Sequence, residues 1–124
     1  MVLVYTTTMA DRSQLFSDID SLEPERFTQH LAEDVTMRFG NADEVHGRDA
    51  VHDVWAGFCQ GVDGVSHSGL RRWESEDGTV AEADVTYTKK DGDKVTVPVV
   101  TIYREGDGGI VDYRVFIDLA PLFA

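Results

Sequence analysis

The 124-residue chain contains one cysteine, three prolines and only three lysines. The single cysteine, Cys59, excludes an intrachain disulfide. No apolar run approaches the roughly 20 residues that a membrane-spanning helix needs. Residues 1–13 have neither a basic segment nor a long apolar core, so we do not expect a signal peptide. These absences predict a single-domain cytoplasmic protein.

The charge balance is strongly acidic, with a formal net charge of −12. Such a charge repels phosphate groups, which disfavours nucleic acid and anionic membranes as partners. Hydrophobic residues make up 42% of the chain, which is enough for a packed core. The composition therefore predicts a globular domain whose partner is neither a nucleic acid nor a membrane.

The first half of the chain has the apolar spacing of helices. Spacings of three and four predict helices over residues 11–21, 24–34 and 48–60, with an irregular arm over residues 1–10. Between the last two helices, Val35–Phe39 alternates apolar and polar residues and predicts one short strand.

From Val65 onward the pattern is that of strands and turns. Asp-Gly and Gly-rich turns separate four predicted strands, at residues 65–75, 79–89, 94–105 and 110–118. Pro98 indicates that the first part of the third of these strands lies at an edge or contains a bulge. The order predicts an α+β fold, in which three N-terminal helices and a curved antiparallel sheet form a cone around a pocket.

The closing strand carries charges on one of its two faces. Asp112, Arg114, Phe116 and Asp118 share a face because side chains alternate along a strand. This face either contacts solvent or forms the polar wall of the pocket, with Asp118 at its floor. We adopt the second interpretation as the working hypothesis.

The strand over residues 79–89 presents the same choice. Glu82 and Asp84 lie on one face, and Ala83 and Val85 lie on the other. Hydrophobicity alone predicts that the Ala/Val face is buried and that Asp84 is exposed to solvent. If Asp84 and Asp118 instead shared a closed pocket with Arg114, their pKa values would separate into a proton donor and an acceptor.

The histidines and aromatic residues give weaker indications. No two histidines have metal-ligand spacing, and the turn at Gly106–Gly109 has no phosphate-loop pattern, so neither a metal nor a cofactor is expected. His67 lies in a predicted strand, where it is either an ordinary surface or hydrogen-bonded histidine or faces the pocket and helps to polarise a substrate. Five large apolar residues are expected in the core or around the pocket: Met37, Phe39, Trp55, Phe58 and Phe116.

Three segments carry a resemblance to a known family. Gly47–Val51 resembles the start of that family's third helix, Val97–Tyr103 its penultimate strand, and Gly109–Leu119 its closing strand. On these residues the chain resembles the SnoaL-like branch of the nuclear transport factor 2-like superfamily. The resemblance implies a single cone-shaped domain over residues 11–124, in a superfamily that contains both enzymes and non-catalytic binding proteins.

Within this superfamily, the pocket of limonene-1,2-epoxide hydrolase resembles the chain in part. The two aspartates of its Asp–Arg–Asp triad fall on Asp84 and Asp118, whereas its arginine falls on Glu82. The tyrosine and asparagine that help to hold its water fall on Met37 and Phe39. The resemblance thus implies an inward-facing pair of acids without the matching water site.

Together these indications predict a homodimer that binds a small, hydrophobic, oxygenated molecule. Asp118 is the expected acid/base, Asp84 its partner, and Arg114 the group that orients an acid or stabilises negative charge. The expected reaction is cofactor-independent isomerisation, hydration or dehydration, cyclisation or epoxide opening. The alternative is a non-catalytic binding or interaction module on the same fold.

Overall fold

A computed structural model describes residues 11–124, and the arm predicted over residues 1–10 lies outside the described residues. The helices are α1 (Leu15–Asp20), α2 (Pro24–Thr28), α3 (Arg48–Gln60) and α4 (Ala120–Phe123). The strands are β1 (Leu31–Phe39), β2 (Val45–His46), β3 (Val62–Ser75), β4 (Gly78–Lys89), β5 (Lys94–Gly106) and β6 (Gly109–Ile117). No helix within residues 11–124 is long and apolar enough to cross a bilayer.

One curved, unclosed sheet organises the fold, with its strands in the order β2-β1-β6-β5-β4-β3. β3 to β6 form the predicted antiparallel meander, because each pairs with the next through a short turn. β1 joins this meander through a parallel pairing with β6. The α+β prediction of a curved sheet with helices packed against it is confirmed.

The second helix is much shorter than its apolar spacing predicts. It ends at Thr28, and β1 begins at Leu31 instead of at Val35. The His30 carbonyl accepts a hydrogen bond from the Ile110 N–H, and Leu31 is paired with Ile110. Pairing with β6 therefore overrides the local helical pattern in this segment.

Pro98 lies where the sequence predicts an edge. It pairs with Asp84 of β4, but pairing between β5 and β6 begins only at Val99. Proline has no N–H to donate, so it suits a position where β5 has no neighbouring strand on the β6 side. The edge prediction for the first part of this strand is confirmed.

The two faces of the sheet differ sharply in polarity. The concave face carries the buried side chains of the meander, among them Ala83, Val85, Val99 and Val115. The helices cover this face with Leu15, Phe16, Ile19, Phe27 and Trp55. The convex face carries charged side chains of the same strands, together with a few exposed apolar ones such as Trp73 and Phe116. Hydrophobic burial therefore decides which face looks into the cone.

The close approach of β6 to β1 requires Gly109. Its φ of +132° is left-handed, and a Cβ there would lie 2.8 Å from the His30 carbonyl oxygen and 2.9 Å from the Ala32 nitrogen. Gly109→Ala is expected to lower the free energy of unfolding by about 3 kcal/mol, through backbone strain and overpacking. Urea denaturation measures this loss.

Gly108→Ala is the matched control. Its φ is also positive, at +83°, but a Cβ there meets nothing within 4 Å. Only the strain remains, so a loss of about 1 kcal/mol is expected. Equal losses in the two variants would contradict the proposed clash with β1.

Candidate functional site

The helices and the concave face of the sheet enclose a narrow cavity of about 30 Å³. Most of its wall is apolar, with a few polar side chains among aromatic rings. The lining residues are Ile19, Phe27, Met37, Phe39, Trp55, Val65, His67, Tyr87, Val99, Thr101, Tyr113 and Val115. In this arrangement of side chains the free volume holds about one water molecule.

A histidine–aspartate pair lies at the wall of this cavity. His67 Nδ1 lies 2.6 Å from Asp20 Oδ1, and the His67 backbone N–H donates to Asp20 Oδ2 at 2.9 Å. The two side chains are 10% and 22% exposed, so solvent screens the pair only in part. Because a carboxylate only accepts hydrogen bonds, Nδ1 carries the proton in the neutral ring, and Nε2 keeps a free lone pair.

Local structure explains how the two residues meet. Asp20 is the last residue of α1, and the chain reverses at Leu22, which has a φ of +61°. His67 is paired with Val85 in the sheet, and the Phe16 ring lies 5.0 Å from its imidazole. Contacts on both sides therefore hold the imidazole against the carboxylate.

Two tyrosines add hydroxyl groups to the same wall. Burial raises the pKa of the Tyr87 phenol, and the nearby negative charge of Asp20 raises it further. Burial likewise raises the pKa of Tyr113, chiefly by desolvation. Both phenols thus stay protonated at neutral pH and can donate hydrogen bonds.

Trp55 supplies a further donor. Its side chain lines the cavity, and its Nε1–H is buried without a hydrogen-bond partner among residues 11–124. Leaving such a donor unsatisfied costs about 1–3 kcal/mol. A ligand whose acceptor oxygen reached this N–H would remove this cost.

The prediction that the two acids and the arginine face inward is wrong. Asp84, Asp118 and Arg114 are exposed and absent from the cavity lining. Asp118 accepts a hydrogen bond from the Ala120 N–H, and Arg114 Nε lies 3.1 Å from Asp112. The alternative based on hydrophobicity holds instead, because burying unpaired carboxylates costs several kcal/mol whereas burying alanine and valine is favourable.

The predicted ligand-contacting residues fall into three groups. Met37, Phe39, Trp55 and His67 line the cavity. The Phe58 ring packs against the lining aromatics from outside, stacked 5.1 Å from Trp55. Phe116 is 54% exposed, so its placement in the pocket is wrong.

Sequence reasoning missed Asp20. Its partner His67 is 47 residues away, so no local spacing links the two. One signal was present. A carboxylate in the last turn of a helix lies at the negative end of the helix dipole, so it is stabilised by contact with a hydrogen-bond donor or a positive charge. The sequence does not show that this contact comes from His67.

Two other histidines also lie beside carboxylates, His30 beside Asp18 and His52 beside Glu25, but none of these four residues lines the cavity. No group of three or more His, Cys, Asp or Glu side chains in residues 11–124 is arranged to hold a metal ion. Burial raises the pKa of the Cys59 thiol to about 11, so it stays protonated. His67 is therefore the best-placed proton acceptor at the cavity.

Comparison with known proteins defines the class to which this fold and cavity belong. The model of the SnoaL-like domain matches residues 13–113. The chain belongs to the SnoaL-like domain family.

Solved structures support the same fold at low sequence identity. A provisionally assigned polyketide cyclase from Xanthomonas campestris pv. campestris has a TM-score of 0.77 and 15% identity, over 85% of each chain. An LEH-like epoxide hydrolase of M. tuberculosis has a TM-score of 0.72 and 14% identity, over 88% of this chain and 80% of that chain.

A third structure adds a small bound molecule. A Catenulispora acidiphila protein with a ketosteroid isomerase-like fold, in complex with trimethylamine, has a TM-score of 0.73 and 16% identity. The match covers 88% of this chain and 85% of that chain. No curated protein matches the sequence.

Proposed function

We propose that the chain is a cofactor-independent enzyme that moves a proton on a small, hydrophobic, oxygenated molecule. The observation that carries the proposal is the 2.6 Å contact between His67 Nδ1 and Asp20 Oδ1 at the wall of an apolar cavity. His67 is the proposed general base, and Asp20 holds its tautomer and orientation. A cytoplasmic location is part of the proposal.

The proposed step begins when His67 Nε2 takes a proton from a carbon next to a carbonyl. The electrons of the C–H bond form a C=C bond, and the π electrons of the carbonyl group move to its oxygen, which gives an enolate. Trp55 Nε1–H and the neutral phenols of Tyr87 and Tyr113 are the donors that we propose for that oxygen, because all three side chains line the cavity. In an isomerisation of an unsaturated ketone, His67 returns the proton to the γ-carbon of the conjugated enolate. In a dehydration, the enolate expels a β-hydroxyl as its C–O bond breaks, and His67 gives the proton to that hydroxyl, which leaves as water.

This chemistry narrows the predicted list of reactions. Isomerisation, dehydration and enolate-based cyclisation each need one base and neutral donors, which the cavity supplies. The sequence-based prediction of epoxide opening needs the Asp84–Asp118 pair, and both acids are exposed and absent from the cavity lining. We therefore favour the enolate-forming reactions.

Deuterium exchange at α-carbons tests the proposal without a known substrate. The protein is incubated in D₂O with 2-butanone, cyclohexanone, 2-cyclohexenone and 2-tetralone, and NMR follows the loss of the α-proton signal. We expect exchange of at least one ketone to exceed that given by an equal concentration of imidazole. Exchange no faster than with imidazole for every ketone would contradict the proposal.

Variants of two exposed acids serve as controls. Asp84→Asn and Asp118→Asn remove exposed acids outside the cavity, so both should exchange the ketones at the wild-type rate. A large loss of exchange rate in either variant would indicate that the replaced acid is catalytic, as the sequence predicts.

The narrowness of the cavity favours a second candidate, a non-catalytic binding protein. A free volume of about 30 Å³ suits a ligand that is held by rearranged side chains. For this candidate we expect calorimetry to detect ketone binding. We also expect the exchange of the bound ketones to be no faster than with imidazole.

We also propose a homodimer formed through the convex face. Trp73, Val80 and Ile102 lie in register across β3, β4 and β5, and Trp73 is 48% exposed. Val100 and Phe116 form the next row. A self-complementary interface of this kind must bury about 800 Å² per subunit.

Ile102→Glu tests the dimer, because it places a negative charge in the apolar row of Trp73, Val80 and Ile102. We expect the wild type to sediment as a dimer at micromolar concentration and the variant as a monomer. Thr96→Glu, near the end of the same strand, should remain dimeric. A monomeric wild type would contradict the proposal.

A further inference from the structure

A groove on the outer side of Phe58 adjoins the cavity. Its volume is about 520 Å³, and its lining is mainly apolar. Gly57 and Phe58 of α3, Val62 of β3, and Leu122 and Phe123 of α4 form most of the wall. The volume lies within the range of about 300–1,000 Å³ that is usual for small-molecule sites, whereas the cavity is far below it.

Phe58 separates these two spaces. On its inner side its ring lies 5.1 Å from Trp55, 5.7 Å from Phe39 and 5.6 Å from Tyr87, all of which line the cavity. The same residue lines the outer groove. A rotation of this one side chain would therefore join the cavity to the groove.

We propose that the groove is the second half of the ligand site, with Phe58 as the movable wall between the halves. The occupant is an elongated neutral molecule, with an oxygenated head at His67 and Trp55 and an apolar tail of several carbons along Val62, Leu122 and Phe123. This inference rests on the proposed function for the position of the head. The inference adds that the length of the ligand's apolar tail, and not only its head group, determines which molecules bind.

The 2-alkanones from 2-butanone to 2-undecanone are suitable probes, because they share a head and differ only in the tail. Binding is measured by calorimetry and α-proton exchange by NMR on the same samples. Each buried methylene contributes about fourfold in affinity. We expect the dissociation constant to fall by about that factor per carbon until the groove is filled, and then to level off.

Gly57→Phe fills the groove without disturbing the core. A Cβ at Gly57 meets nothing within 4 Å, and the residue is exposed on α3. In this variant we expect the affinity to stop rising with chain length. Val54→Phe is the matched control, because Val54 is 48% exposed on the same helix and lies outside the groove lining.

The outcomes separate this inference from the proposed function. If ketones exchange but their affinities do not depend on chain length, the groove inference alone is overturned. It is also overturned if the affinity for Gly57→Phe rises with chain length as it does for the wild type. Affinities that rise with chain length but without exchange would overturn the catalytic proposal alone. If the wild type binds none of the alkanones, both are overturned.

Discussion

Asp20→Asn is expected to lower the rate of ketone exchange by about 10²–10⁴-fold without unfolding the protein. The asparagine side chain has the same shape as the aspartate. Its oxygen can still accept the hydrogen bond that the His67 backbone N–H donates to Asp20 Oδ2 in the wild type, at 2.9 Å. Its NH₂ group then faces Nδ1 of His67. An amide N–H donates a hydrogen bond where the carboxylate accepts one.

The loss follows from the tautomer of His67. Opposite a donor, Nδ1 must be the acceptor, so the proton of the neutral ring moves to Nε2. The nitrogen that should take the substrate's proton then no longer has a free lone pair. The ¹⁵N chemical shifts of the imidazole distinguish the two tautomers, and a purely structural role of Asp20 would not change them.

His67→Gln and His46→Gln complete this experiment. His67→Gln removes the base, so exchange should fall to the rate in buffer. The His46 side chain is 70% exposed, and its replacement should change nothing. If Asp20→Asn keeps both the wild-type rate and the proton on Nδ1, the histidine–aspartate mechanism is contradicted.

Local pattern predicted much of the fold. The helix over residues 48–60, the four meander strands and their turns lie within a few residues of their predicted bounds. Each of these elements combines strong periodicity with turn residues at its ends, so the chain specifies them without distant contacts. The segment before Val35 was predicted less well, because pairing with β6 and not its own spacing makes it a strand.

The site was predicted less well than the fold. Periodicity shows which residues of β4 and β6 share a face, but not which face looks into the cone. Taking the charged face as the pocket wall placed Asp84, Asp118 and Arg114 inside, whereas the apolar face is the buried one. The relevant acid is Asp20, and its role depends on a contact that exists only after the helix packs on the sheet.

Asp18→Ala is expected to have the largest effect on stability, lowering the free energy of unfolding by about 3–5 kcal/mol. Asp18 is 6% exposed and lies at the centre of a polar network. Its Oδ2 lies 2.7 Å from His30 Nε2, and its Oδ1 accepts from Arg26 Nη2 at 2.8 Å. The alanine would leave the buried His30 without this acceptor.

The tautomer of His30 shows how tightly this network is specified. Arg12 Nη1 lies 3.0 Å from His30 Nδ1, and a guanidinium can only donate. Nδ1 is therefore the acceptor, and Nε2 carries the proton that Asp18 accepts. Arg12 also makes two contacts of 2.7 Å with Glu105, so the network links the start of the described chain to the end of β5.

The pH dependence of this effect has a definite sign. The hydrogen bond from His30, followed by that from Arg26, lowers the pKa of Asp18 below its ordinary value. A carboxyl whose pKa is lowered by folding contributes stability above its unfolded pKa of about 3.9. That contribution is lost as the pH falls through the lowered value in the folded state. The difference between wild type and Asp18→Ala should thus be constant near neutral pH and shrink below about pH 4.

Urea denaturation at a series of pH values measures this difference. Asp53→Ala is the matched control, because Asp53 also lies beside a histidine, His52 at 3.4 Å, but its side chain is 85% exposed. Its loss should stay within about 0.5 kcal/mol at every pH. A loss in Asp18→Ala as small as that of the control, or one unchanged down to pH 2, would show that the Asp18 carboxylate does not hold the network together.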